Sequence, residues 1–91
     1  MIKPRKVEIK EESKILKDLR RKLPGSYQES VDAQVSVLET NMSEDEIDDV
    51  AAVEEWPDEV LAAAMQARNW MDGEVDDPPS VEWEDLLEQE Q

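Results

Sequence analysis

The chain contains no cysteine, no histidine and no phenylalanine, and only two of its 91 residues are glycine. Without cysteine there is no disulfide, no thiolate metal site and no thiol chemistry. Without histidine the commonest general base and the commonest transition-metal ligand are gone. Gly25 and Gly73 stand far apart, so no glycine-rich phosphate loop can form. No apolar run is long enough to cross a membrane, and no signal-peptide core follows Met1, so a cytoplasmic location without membrane contact is the expectation. Leu, Ile and Val together number 20 of 91, which limits the core to that of one small domain and places the chain just above the composition of full disorder.

What is present is acid. The formal net charge is -15, and it is unevenly laid out. Residues 1–22 carry nine of the ten basic side chains against four acids, about +5. Residues 23–91 carry 21 acids against Arg68 alone, about -20. Such a body repels nucleic acid and anionic lipid and attracts a basic protein surface.

Periodicity predicts a mainly α fold. Residues 1–10 read as a basic arm in which Val7 and Ile9 alternate with charges, leaving a short strand or a disordered arm open. Residues 11–73 read as a domain of about four short helices, near 11–23, 27–41, 44–54 and 57–71. In the first, Ile15, Leu16, Leu19 and Leu23 share a face, and Pro24-Gly25 ends it. Ser26 and Glu29 read as a capping box for the second, whose face is Tyr27, Val31, Val35, Leu38 and Met42. Val31, Ala33, Val35 and Val37 also alternate strictly, so a strand competes there. Ser43 and Glu46 form a second capping box for a helix with Ile47, Val50 and Ala51 inward.

The helix over 57–71 is the clearest. Pro57 suits a first helical position, Asp58 and Glu59 complement the positive end of the dipole, and Gly73 is a natural left-handed stop. Val60, Leu61, Ala63, Ala64, Ala67, Trp70 and Met71 form one apolar face opposite Asp58, Gln66 and Asn69. Its alanine centre admits close approach by another helix, from this domain or from a second copy in a homodimer. Residues 74–91 read as an acidic, partly flexible tail with a short helix near 81–88 capped by Ser80. There Trp83, Leu86 and Leu87 share a side among Glu82, Glu84 and Asp85. That pattern suits insertion into an apolar groove with a basic rim, or docking back onto the alanine face.

Nothing here spells catalysis. Glu44, Asp45, Glu46, Asp48 and Asp49 cluster, but without the alternation, mid-loop glycine and closing glutamate of a calcium loop. Asp72-Gly73-Glu74 with Asp76-Asp77 comes nearest, and Pro78-Pro79 breaks it. A carboxylate-only glycosidase needs a deep cleft to raise one pKa, and 91 residues are too few to build one. No enzyme activity, cofactor or metal is expected. Lys3, Arg5, Lys6, Arg20, Arg21 and Lys22 are the candidate nucleic-acid contacts, though no aromatics interleave them; a solvated face balancing the acidic body is the plainer reading.

The run Ala62-Ala63-Ala64-Met65-Gln66-Ala67-Arg68-Asn69-Trp70-Met71-Asp72-Gly73-Glu74, with Pro78-Pro79-Ser80 and Trp83 after it, resembles the C-terminal part of small acidic bacterial antitoxins. In those a helix ending in an aromatic and Gly-Glu leads into an acidic tail. The resemblance covers about 25 residues. The first 55 residues do not match the ribbon-helix-helix or helix-turn-helix modules such antitoxins often carry. The resemblance implies a tail that wraps a basic toxin, commonly a nuclease, and covers its active surface. The leading expectation is therefore a non-enzymatic, antitoxin-like inhibitor of a basic partner, a toxin or nucleic-acid enzyme. Its binding residues would be Trp56, Leu61, Trp70, Met71, Trp83, Leu86 and Leu87, flanked by Glu82, Glu84 and Asp85. Two alternatives stand beside it: a nucleic-acid mimic whose carboxylates imitate phosphates, and an adaptor whose basic arm and acidic body contact different subunits.

Overall fold

A computed structural model describes residues 6–89. It consists of helices α1 (Lys6–Lys22), α2 (Gly25–Thr40), α3 (Glu44–Glu54), α4 (Asp58–Met71) and α5 (Ser80–Gln89), with no strand among the described residues. The helices pack in the order α3, α4, α2, α1, α5, so that α2 lies between α1 and α4. The Cα extents of 40 × 32 × 18 Å describe a slab less than two helix diameters thick.

The central position of α2 explains the competing strand pattern in its sequence. A helix covered on two sides buries residues around most of its circumference: Ser30, Val31, Ala33, Gln34, Val35, Val37 and Leu38 are all buried. From Ser30 onward, only the stripe of Asp32, Ser36, Glu39 and Thr40, spaced 4, 3 and 1, remains exposed. Alternation at 31, 33, 35 and 37 thus reflects two-sided burial, and the segment is helical.

The start of α2 differs from expectation. Its N-cap is Pro24, with no side-chain cap, and Ser26 is an exposed residue inside the helix. The side chain of Gln28 instead turns back to donate to the carbonyls of Arg20 (3.2 Å) and Leu23 (3.3 Å). It thereby serves the C-terminal end of α1, whose last carbonyls have no helical partner.

α1 begins at Lys6, so Val7 and Ile9 are helical rather than extended. No proline or glycine interrupts residues 6–23, and Ile9, Glu12, Ser13, Leu16, Leu19 and Leu23 recur at helical spacing on the packed side. That longer register overrides a two-residue alternation. Ile15, expected on the buried face, is 41% exposed. The arm residues before Lys6, with Lys3 and Arg5, lie outside the described residues, as does the extreme C-terminus.

The remaining boundaries follow local chemistry. Ser43 caps α3 by accepting from the Glu46 N–H at 3.2 Å, and the Glu46 carboxylate answers the Ser43 N–H, the reciprocal box read in the sequence. Glu55 closes that helix in the left-handed region. Pro57 is the N-cap of α4 rather than its first residue. Gly73, at φ +83°, ends α4: its N–H donates to the Trp70 carbonyl and that of Glu74 to the Asn69 carbonyl. These bonds are the Schellman pattern that a left-handed glycine permits.

Candidate partner-binding surface

The apolar residues read as binding anchors divide by burial. Trp70 is 3% exposed and belongs to the core with Val60, Ala64 and Ala67. Trp56, Leu61, Met71, Trp83, Leu86 and Leu87 are half-buried and pack against that core from its margins. The alanine face of α4 is covered by α2, with Ala63, Ala64 and Ala67 all buried. It is therefore available neither to a second copy nor to the C-terminal helix.

α5 docks elsewhere, on α1. Three contacts fix its register. The Glu12 carboxylate accepts from the Ser80 backbone N–H at 2.6 Å and from its hydroxyl at 3.0 Å. The Trp83 indole N–H donates to the Gln34 side-chain oxygen at 2.7 Å. The Trp83 ring lies against Tyr27 with centroids 5.7 Å apart and planes tilted by 56°. Ser80, read as the cap of α5, is thus its first residue, and the negative group at this helix start comes from α1. A carboxylate there meets unpaired N–H groups and the positive end of the dipole.

Glu12 and Gln34 are buried polar groups that sequence reasoning passed over. Gln34 is completely buried, accepts from Trp83, and donates through its amide to the Ala63 carbonyl at 3.1 Å. One side chain thereby joins α2, α4 and α5. The signal was a lone amide in the run Val31 to Leu38, where every other buried position is aliphatic. Burial raises the Glu12 carboxyl above its ordinary value; the two Ser80 hydrogen bonds oppose that shift and nearby Glu84 adds to it. Among the described residues no buried side-chain nitrogen or oxygen lacks a hydrogen-bond partner.

The basic candidates are partly committed. Arg20 donates to Asp32 of α2 at 2.6 Å, whereas Arg21 and Lys22 are exposed. Lys6 opens α1. Arg68 is structural: it meets Asp72 at 2.7 Å and donates to the Asn41 side chain and the Met42 carbonyl, both at 2.9 Å. It clasps the end of α4 to the α2–α3 connection.

The acids of α3, α4 and α5 face outward. Glu44, Asp45, Glu46, Asp48 and Asp49 on α3 are exposed, as are Asp58 and Glu59 at the start of α4 and Glu82, Glu84 and Asp85 on α5. Val53, 79% exposed, lies on α3 among them. Among the described residues no group of three or more His, Cys, Asp or Glu side chains is placed to hold a metal ion. No helix of the described chain is long and apolar enough to cross a membrane. No family model matches this sequence, and neither the curated proteins nor the solved structures provide a match.

Proposed function

We propose that this protein is a non-enzymatic acidic binding protein, an antitoxin-like inhibitor that neutralises a basic protein partner through its C-terminal half. The observation that carries the reading is the charge layout: exposed carboxylates along α3, the start of α4 and α5, with Arg68, the one cation of residues 23–91, held in a structural clasp. Such a surface steers a basic partner into encounter. α5 supplies the apolar part. Its Trp83, Leu86 and Leu87 are half-buried margins rather than core, so its transfer to a partner groove exchanges one partial burial for a fuller one.

A second reading, nucleic-acid mimicry, is favoured by one feature. Glu44 and Asp48, and Asp45 and Asp49, are paired at four-residue spacing on a helix whose start is fixed by a capping box. Carboxylates on a rigid helix imitate phosphates better than those on a tail.

Tagged full-length protein would be used to capture partners from the native cell's lysate with elution by a salt gradient. The antitoxin-like reading expects one small basic protein whose toxicity the chain suppresses. Affinity for it should fall at least about tenfold in Trp83→Ala/Leu86→Ala. A nucleic-acid enzyme displaced by added DNA or RNA, with affinity lost instead in Glu44→Gln/Asp45→Asn/Asp48→Asn/Asp49→Asn, would replace it with mimicry. A multi-subunit assembly, released by removal of residues 1–10, would point to the adaptor.

A further inference from the structure

We propose that a cleft between α1 and the C-terminal ends of α2 and α4 binds a small amphiphilic monoanion of the fatty-carboxylate type. The cleft is open to solvent on one side and offers about 880 Å³, within the range of small-molecule sites. Its floor is apolar, made by Ile9, Leu38 and Met71, and Val7 stands 68% exposed at its edge. Its rim is cationic, in a molecule whose net charge is -15. Lys10, Lys14 and Lys17 line it at four- and three-residue spacing along one face of α1, a row roughly 10 Å long.

The acid in this wall is already matched. Glu39 accepts from Lys17 at 2.7 Å and from Ser13 at 3.0 Å. Lys10 and Lys14 have no ion-pair partner among the described residues. Two free ammonium groups above an apolar floor complement one anionic head with an apolar body. The clasp of Arg68 on Asp72, Asn41 and Met42 holds the far wall in place.

Charge decides the size of the anion. Repulsion from the acidic body grows with the charge that the ligand brings, so a nucleic acid, an acidic peptide or an anionic bilayer loses to the body what it gains at the rim. A single head group meets the lysines at contact range, while the more distant acids are screened beyond about 8–10 Å at moderate salt. The inference is independent of the partner reading above.

The test is a titration of the full chain with sodium decanoate below its micelle concentration, followed by ¹H–¹⁵N spectra. Saturable shifts are expected at Ile9, Ser13, Leu38 and Met71. Binding should weaken at least about tenfold in K10E/K14E, whose exposed positions leave folding intact as checked by circular dichroism. Decanol, with the same tail and no charge, should bind several-fold more weakly. Absence of saturable shifts, equal binding by decanol, or undiminished binding by the double variant would each overturn the assignment. Vesicles of phosphatidylglycerol should not carry the protein down on sedimentation; if they do, the cleft reads a membrane headgroup rather than a free amphiphile, and the proposal fails.

Discussion

Glu12 and Ser80, 68 positions apart in the sequence, form the joint between the first helix and the last. The Glu12 carboxylate receives both the backbone N–H and the hydroxyl of Ser80, and both residues are buried. Removal of the Glu12 carboxylate leaves both the N–H and the hydroxyl of Ser80 unsatisfied in a site closed to water. Such a loss costs about 1–3 kcal/mol. Glu12→Ala is therefore expected to destabilise the chain by about that amount and to release α5 before the rest. Hydrogen exchange over residues 80–89 and urea unfolding would measure the two effects. Protection of α5 equal to that of wild type would show that the joint is dispensable.

The same joint carries a pH signature. Burial raises the Glu12 carboxyl above its ordinary value of 4.5, so between that value and the raised one the folded chain binds more protons than the unfolded chain. In that window stability due to Glu12 increases as pH falls and is penalised above it. Glu39 has the opposite sign: its carboxyl is lowered by Lys17 and Ser13, and its contribution is lost as pH drops below the ordinary range. Glu12→Gln keeps Glu39 and removes the Glu12 titration. Wild type should gain stability relative to Glu12→Gln as pH falls from neutral towards about 4.5. A difference that is flat with pH, or that moves the other way, would contradict the burial argument.

Gln34 gives the clearest case of coupling across elements. Gln34→Leu strands the Trp83 indole N–H, and Trp83→Phe strands the Gln34 oxygen, so each single variant should lose about 1–3 kcal/mol. The pair together should lose less than the sum, because the second substitution removes the group that the first left unpaired. A double-mutant cycle in urea unfolding is expected to give a coupling of about 1 kcal/mol. Strict additivity would mean that the 2.7 Å hydrogen bond contributes nothing net.

Much of this fold is legible in the sequence because the relevant signals are local. The Ser43 capping box, the Gly73 stop and the apolar face of α4 each depend on residues within a turn or two of one another. The tertiary joints are not of that kind. Glu12 lies in a charged run and looks like any solvated helix acid until α5 covers it. Ser26 satisfies the pattern of a cap, but Pro24 already holds the N-cap position of α2, and Gln28 donates to the neighbouring carbonyls from a position that no spacing rule marks. Likewise the anchors of the candidate surface were recognisable as apolar. Their division into the buried Trp70 and the marginal Trp83, Leu86 and Leu87 depends on which helix covers which face.

The two glycines are expected to respond in opposite directions to the same substitution. An added Cβ meets nothing within 4 Å at either position, so sterics with neighbours do not decide. Gly25 is the first residue of α2 with no positive φ, and Gly25→Ala should stabilise by about 0.4–1 kcal/mol by restricting the unfolded chain. Gly73 has φ +83°, where an L side chain is strained, and Gly73→Ala should cost about 1–2 kcal/mol. Thermal unfolding of both variants checks the pair. Equal shifts would mean that the left-handed closure of α4 is not held in solution.

Added salt should stabilise this protein. Among the described residues the ion pairs Lys17–Glu39, Arg20–Asp32 and Arg68–Asp72 include exposed or half-exposed groups, and pairs of that kind are worth about 0–1 kcal/mol each and weaken with ionic strength. Against them stands the mutual repulsion of 25 acids with only ten bases to offset it, in a slab only 18 Å thick. At 0.01 M salt the Debye length of about 30 Å lets nearly all of those charges act on one another, and at 1 M it falls to about 3 Å. Screening removes more repulsion than attraction. The urea midpoint is therefore expected to rise steadily with sodium chloride from 0.01 M to about 0.5 M. A falling midpoint would mean that the ion pairs outweigh the net charge. In that case Lys17→Ala and Arg20→Ala should remove the salt dependence, whereas under net repulsion both variants would steepen it.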